Sequence, residues 1–430
     1  MRYLLSLVLI CFIVPVFAQQ TSPYSRFGIG GLYPQEYAPQ RAMGNISAGY
    51  KDTIAVNYQN PANFSNKIFS SIDIGLDASY KNFQDQVNTD NATNGSIAYL
   101  AYSFPVNKSQ SWGIGFGAQP VSFKSYDIIS PIINDRFYQE FEGDGNSYRL
   151  FLSNGVRFGD FSVGLDAGIF FGHLEDNSYN TFISSVTDIS SAQTFDQKLR
   201  GVNFKPGVQY TKKVGTDLSL TFGGTYQIEA DINNEIETRT FTFRPTFNDV
   251  QVIASRNEVQ ETSKEVINTE ITLPSQFAVG AYLDKKEKWS LGLDFKSGQW
   301  ANFSGVNDVA SVNYENTFAF NLGGSFIPDY TRPQRAYEAF EYRYGGYYEQ
   351  TYLEVSGERI ADYGITLGVG LPMRRPQPDS RYREVPSSFN LGVAFGQTGT
   401  LNNNLVQESY IKGSVGMNFN DIWFRKRKYD

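Results

Sequence analysis

From residue 69 onward the chain alternates. Between Phe69 and Phe83, Ile72, Ile74, Leu76, Ala78 and Tyr80 share one parity, and Asp73, Gly75, Asp77, Ser79 and Lys81 share the other. A period of two sends the two sets to opposite faces of a strand, so aliphatics lie opposite carboxylates across one thin sheet. The pattern recurs: Val163, Leu165, Ala167, Ile169 and Phe171 oppose Ser162, Gly164, Asp166 and Gly168, and Trp289, Leu291, Leu293 and Phe295 oppose Ser290, Gly292, Asp294 and Lys296. Residues 218–228, 364–371 and 389–396 repeat it. Counting such runs predicts an all-β chain of about 14 strands, an even number that suits a closed antiparallel transmembrane barrel. They start near residues 69, 95, 110, 147, 160, 199, 216, 270, 287, 314, 335, 360, 386 and 408.

The connections sort by parity. Those after strands 2, 4, 6 and 8 are short, around 107–110, 159–160, 212–216 and 284–288, whereas those after strands 1, 3, 5 and 7 read as long loops, the longest from about Asn233 to Glu270. Short turns on one side and long loops on the other are the asymmetry of an outer-membrane barrel, which a soluble sandwich has no reason to adopt. The rule weakens late in the chain, where 328–334 and 374–384 are long on the expected periplasmic side.

Composition narrows the picture. The chain has 28 Tyr, 34 Phe and 39 Gly, a mixture suited to strands with an apolar outer face, a small or polar inner face and aromatic girdles. Residues 1–18, with one charge at Arg2, a short apolar run and Val16-Phe17-Ala18, read as a cleavable secretory leader. The only cysteine, Cys11, lies inside it, so neither a disulfide nor Cys-based metal chemistry is expected in the mature chain. One histidine, His173, argues against triad or multi-His zinc chemistry; no enzyme activity and no cofactor is expected. Removing the leader takes the net charge from −7 to −8, since Arg2 is its one charged residue, and an acidic chain is a poor nucleic-acid ligand. The last strand, 409–424, ends in Trp423-Phe424 and runs into a basic tail, 425–430, read as a solvated end or a contact with anionic groups.

Residues 19–66 precede the first strand and are too interrupted to form one. Within them Arg41 to Asn66 carries small residues that permit close backbone packing, and Asn60-Pro61-Ala62 is a turn that stops any ladder. Arg41, Gly44, Lys51-Asp52 and Asn60-Pro61-Ala62, together with the Pro-led hairpin from Leu273-Pro274 to Trp300, resemble the long-chain fatty acid outer-membrane transporters of the FadL type. These stretches cover about an eighth of the chain. The resemblance implies a 14-stranded barrel (67–424), set in outer-membrane lipid, with an N-terminal hatch (19–66) in its lumen, that serves as a channel for passive uptake of a hydrophobic or amphipathic small molecule such as a long-chain fatty acid. Arg41 and Lys51 are expected to hold the hatch against inward Asp73, Asp77, Asp166 or Asp294.

The family also implies a lateral exit at a kinked third strand. Here that strand contains Gly115, Gly117 and Pro120, which would break pairing near residues 118–121; a proline at a strand end without a gate is the alternative. Beyond it, Ile128, Ile129, Ile132 and Ile133 sit in an outward loop, either capping the barrel mouth or offering a capture surface. The expected setting is a monomer in the outer membrane of a Gram-negative bacterium. A second reading is a barrel that accepts exported proteins for a secretion system, with the acidic loop from Asn233 to Glu270 as the partner surface; a soluble secreted β protein is third. A hydrophobic route must also accommodate a lumen parity made mostly of Gly, Ser, Thr, Asp and Asn.

Overall fold

A computed structural model describes residues 21–423 apart from 56, 135, 184–187, 245–256, 305–311, 331–333 and 374–386. The expected leader, the basic tail and Phe424 lie outside the described residues. The strands are β1 (Gly31–Leu32), β2 (Ser70–Gln84), β3 (Thr89–Pro105), β4 (Trp112–Phe123), β5 (Tyr126–Ile129), β6 (Phe137–Phe158), β7 (Phe161–Phe182), β8 (Ser190–Val214), β9 (Leu218–Gln227), β10 (Ala230–Arg244), β11 (Asn257–Leu273), β12 (Gln276–Lys285), β13 (Trp289–Gly298), β14 (Val312–Tyr314), β15 (Thr317–Phe326), β16 (Glu341–Val355), β17 (Glu358–Pro372), β18 (Ser388–Gly399) and β19 (Gln407–Asp421). Neighbouring strands pair antiparallel throughout, and β19 returns to β2 from Gln407↔Gln84 to Asp421↔Ser70, so the sheet closes.

The surplus over 14 is β1, which lies in the N-terminal segment, and four breaks within single staves. β4 and β5 both pair with β6, β14 and β15 both pair with β16, and β9–β10 and β11–β12 each continue one line around the wall. The outward parity is the one read from sequence: Ile72, Leu165, Ile169, Leu293 and Leu367 are exposed, while Asp73, Asp166, Asp294 and Thr366 on the other face are buried. Aromatics mark the two edges of the apolar band. Along β7 these are Phe161, packed on Tyr210, and Phe171, packed on Tyr148. Ten steps of about 3.3 Å at a tilt of about 40° separate them, a height of about 25 Å and the thickness of a bilayer's apolar band. Trp423, expected in the last strand, lies just beyond it and stacks on Phe104 at 4.8 Å, at the Phe161 edge.

The expected long loops are largely strand. β6, β7 and β8 have 22, 22 and 25 residues, and Asn233 to Glu270, read as the longest loop, is mainly the β10–β11 hairpin, registered from Ala230↔Leu273 to Arg244↔Asn257. The connection after the first barrel strand is only Asp85 to Asn88. Polar alternation above a membrane pairs in water as well as loop residues solvate, so the ladder extends beyond the apolar band and the polar composition misleads.

Candidate functional site

Residues 21–66 run against the inward face of the barrel. They contain single helical turns at Pro23–Arg26 and Ala38–Arg41 and a 3-10 turn at Pro61–Asn66. Several inward glycines of the wall are where this segment lies: a Cβ on Gly323 would fall 2.0 Å from Met43 O, on Gly345 2.3 Å from Gly44 N and on Gly223 1.8 Å from Ala48 O, all backbone, and on Gly207 2.4 Å from the side-chain Oδ1 of Asn60. Gly44 itself has φ +64° and its N–H donates to Thr366 Oγ1 at 2.9 Å, while its carbonyl accepts from Asn321 Nδ2 at 2.7 Å. Glycine therefore suits Gly44 on conformation and on space.

Polar side chains fasten the segment. Arg41 forms an ion pair with Asp77, and its Nε donates to Glu36 O at 2.6 Å. Asn60 caps the Pro61–Asn66 turn through Ala62 N–H at 3.1 Å, and its amide donates to Ala48 O at 2.8 Å and Val208 O at 3.1 Å. Ala62 is fully buried beside Phe64. Asp294 accepts the Ser47 and Ala48 N–H groups at 2.5 and 2.7 Å. Lys296 reaches Glu36 at 2.5 Å; burial pushes the Glu36 carboxyl up, but Lys296 and Arg41 outweigh it and the net direction is down. Three expectations are corrected. Lys51 forms no ion pair with an Asp among the described residues and donates to Thr211 Oγ1 at 3.1 Å, and burial with Arg157 and Lys213 nearby brings its pKa down to about 8 against the opposing pull of Asp284 and Asp160. Asp166 pairs with Arg149 of the wall, and Asp73 accepts from Asn418 at 2.6 Å and Tyr58 at 3.1 Å, so neither is held by a cation of residues 19–66.

Beside the segment, and lined in part by it, lies a cavity of about 430 Å³. Its lining holds both charged residues, Arg41, Asp77, Lys81, Lys205, Lys296 and Glu349, and an apolar set, Phe170, Leu273, Trp300, Tyr352, Leu353 and Ile360. The apolar set belongs to one buried cluster that also takes in Tyr24 and Ile29 of the N-terminal segment. Trp300, which closes the Pro-led hairpin, stacks on Tyr352 at 4.4 Å.

The wall is interrupted beside this cavity. β3 pairs with β4 only from Pro105↔Gly113 to Leu100↔Ala118. Gly115 and Gly117 lie inside that ladder, opposite Ser103 and Ala101, and Pro120 lies just past its end, where the β4–β6 register shifts between Pro120 and Ser122. From Ala118 upward β4 turns instead to the N-terminal segment, with Gly31↔Phe123 and Leu32↔Ser122 in β1. Of the expected capture loop, Ile128 and Ile129 are in β5; Ile129 and Ile132 are exposed, Ile128 and Ile133 half-buried, and none joins a buried apolar cluster. His173 is half-exposed above the apolar band, its Nε2 3.4 Å from Asp196.

A closed 14-stave antiparallel barrel with a polypeptide segment against its inner wall and an interrupted third stave has the fold of the FadL-type outer-membrane channels. Its structure is similar to the Pseudomonas putida toluene transporter TodX (TM-score 0.58, 14% identity, 95% of this chain and 100% of that one), the Ralstonia pickettii toluene transporter TbuX (0.57, 13%, 89% and 98%) and a Pseudomonas aeruginosa FadL homologue (0.55, 12%, 92% and 98%). No curated protein sequence matches it. A family model described as BamG matches residues 1–430, and the chain belongs to the BamG family.

Proposed function

We propose that the protein is an outer-membrane channel for passive movement of hydrophobic or amphipathic small molecules, with residues 19–66 as a hatch and the β3–β4 seam as the lateral route. One observation carries this: the β3–β4 ladder stops at Leu100↔Ala118, at mid-wall, beside a cavity of about 430 Å³ with charged and apolar parts. An unpaired strand edge facing hydrocarbon is costly, so an interrupted ladder at that height belongs beside a cavity or a ligand path. A lining with both charged and apolar groups suits an amphipathic ligand. In this reading Gly115, Gly117 and Pro120 form the lower border of the route, and exposed Ile129 and Ile132 offer an apolar landing surface for a ligand, with Ile128 and Ile133 behind them. The solved structures named for toluene transport and as a FadL homologue lend the same direction to the reading.

The test is uptake of a labelled fatty acid and of labelled toluene into proteoliposomes. Entry faster than into protein-free vesicles is expected for at least one; rates equal to protein-free vesicles for both refute the reading.

A further inference from the structure

Charge on the cavity wall does not cancel pair by pair. Of the ionised side chains that line it, Arg41 is paired with Asp77, Lys81 with Glu408 at 3.0 Å, Lys296 with Glu36 at 2.5 Å, and Arg149 with Asp166 of the wall. Four remain outside any ion pair among the described residues: Glu349, Asp362, Lys205 and Lys412. Glu349 and Asp362 stand directly opposite each other on β16 and β17. Two carboxylates so placed repel, an arrangement that costs a sheet stability. Glu349 makes no hydrogen bond among the described residues. Asp362 accepts from Tyr410 and, at 3.1 Å, from Thr398, both through Oδ1, which leaves its Oδ2 without a donor among them. The Lys412 ammonium lies over the Tyr410 ring, 3.8 Å from its centroid. Lys205, on β8, is 9% exposed, and its ammonium donates to Gln59 Oε1 at 3.3 Å. β8 is the sixth stave of the barrel and β16 and β17 the eleventh and twelfth, so the free carboxylates and Lys205 stand on nearly opposite sides of the cavity.

We propose that the cavity takes an apolar zwitterion, a molecule with an ammonium group, an anionic group and an apolar body, its ammonium seated between Glu349 and Asp362 and its anionic group at Lys205. The inference rests on the reading of this cavity as a ligand site and narrows the ligand class given there. An ammonium brings a positive charge and three N–H donors, so it relieves the repulsion between the two carboxylates and meets their unused lone pairs. A fatty acid brings the anionic group alone and leaves that repulsion in place. The four free charges also sum to zero, so a ligand of no net charge keeps the cavity neutral. The apolar body has a place adjoining both charged ends. Ile360 is two residues from Asp362 on the same face of β17, and Tyr352, stacked on Trp300, is three residues beyond Glu349. On the other side, Phe170 shares the inward parity of Asp166, which stands directly opposite Lys205. Ile360, Tyr352, Trp300 and Phe170 belong to the one buried cluster. Short apolar peptides and aminophospholipids both carry this chemistry.

The test is isothermal titration of the purified protein with two pairs of probes. Leucyl-phenylalanine is compared with its N-acetyl form, and lysophosphatidylethanolamine with lysophosphatidate; the second member of each pair keeps the anionic group and the apolar body but lacks the ammonium. In at least one pair the ammonium-bearing member is expected to bind about tenfold tighter, and the pair that shows it names the source as peptide or lipid. No preference in either pair overturns the proposal, and this comparison needs no variant. Glu349→Gln is expected to lower affinity for the preferred probe about tenfold and to shrink its advantage over the form without an ammonium; an undiminished advantage overturns the assignment to Glu349 and Asp362. Lys205→Met is expected to weaken both members of the pair by a similar factor, and unchanged affinities overturn the anionic end of the site. Binding is read here without passage, so loss of this selectivity and loss of uptake into vesicles are separate results.

Discussion

At the scale of single residues, the inward charges were legible as a set but not as pairs. Parity placed Asp73, Asp77, Asp166 and Asp294 in the lumen, yet only Asp77 meets a cation of the N-terminal segment, Arg41. Partner choice depends on height in the barrel, which one sequence does not print; Lys51 donates to Thr211 and stands among Arg157, Lys213, Asp284 and Asp160 of the wall instead. The Arg41–Asp77 pair is largely buried, with side chains 12% and 10% exposed. Removing one partner strands the other charge, so Arg41→Met is expected to cost about 3–5 kcal/mol of unfolding stability. Arg41→Met with Asp77→Asn is expected to cost less than Arg41→Met alone, measured by urea unfolding in lipid vesicles. Lys67, 2% exposed, gives a pH test. Its ammonium donates to Ile54 O at 3.2 Å and Ser71 Oγ at 2.5 Å, and burial brings its pKa from 10.5 to about 8 against the opposing pull of Asp73 and Asp52. Below pH 8 both folded and unfolded chains hold the proton, and the fold bears the full cost of the buried charge. Between 8 and 10.5 the unfolded chain holds more protons, so this residue's contribution to stability rises with pH. The melting temperature of Lys67→Met minus that of the parent is therefore expected to fall as pH rises through that window; a flat difference refutes the assignment.

At the scale of elements, alternation located every stave of the wall, because a strand between lipid and lumen must satisfy both faces at once. It located ends less well. The stretches read as outer loops pair as β6, β7, β8, β10 and β11, since polar sequence above the membrane fits a solvated ladder. The apolar part of the lumen was missed for a related reason. Phe170 and Leu174 lie on the same parity as Asp166 and Gly168, and both are buried in the upper cluster. Aliphatic and aromatic residues returning on the polar parity, near and beyond the outer girdle, were the available signal. Asn60-Pro61-Ala62 was read as a turn and is the start of the Pro61–Asn66 helical turn, with Asn60 as its cap. Asn60→Ala removes that cap and two further amide bonds inside the barrel. A loss of about 1 kcal/mol for the cap alone is expected, and more in total, by thermal unfolding.

At the scale of the molecule, the small lumen residues that spoke against an apolar path have a steric explanation. Gly223, Gly323 and Gly345 are small because backbone of residues 43–49 occupies the space their side chains would fill, and Gly207 because the side chains of Asn60 and Pro61 do. Barrel and segment are thus shaped to each other, and the polarity of the lumen parity describes the seat of this segment more than the wall of a ligand path. Two consequences follow from that fit. A side chain at the contact has no room to move into, so Gly323→Val, with Met43 O at 2.0 Å from the added Cβ, should displace the segment or destabilise the fold by about 1–3 kcal/mol. Removing residues 21–66 should leave a closed wall whose ladder from β2 to β19 does not depend on them, because β19 already returns to β2. Its lumen then fills with water, and planar-bilayer recordings should show discrete ion-conducting steps that the intact protein lacks. The same recordings on Gly323→Val separate its two outcomes, since a displaced segment gives conductance and a seated one does not. If the shortened barrel inserts and stays closed to ions, the segment is not what fills the lumen, and the glycine contacts need another cause.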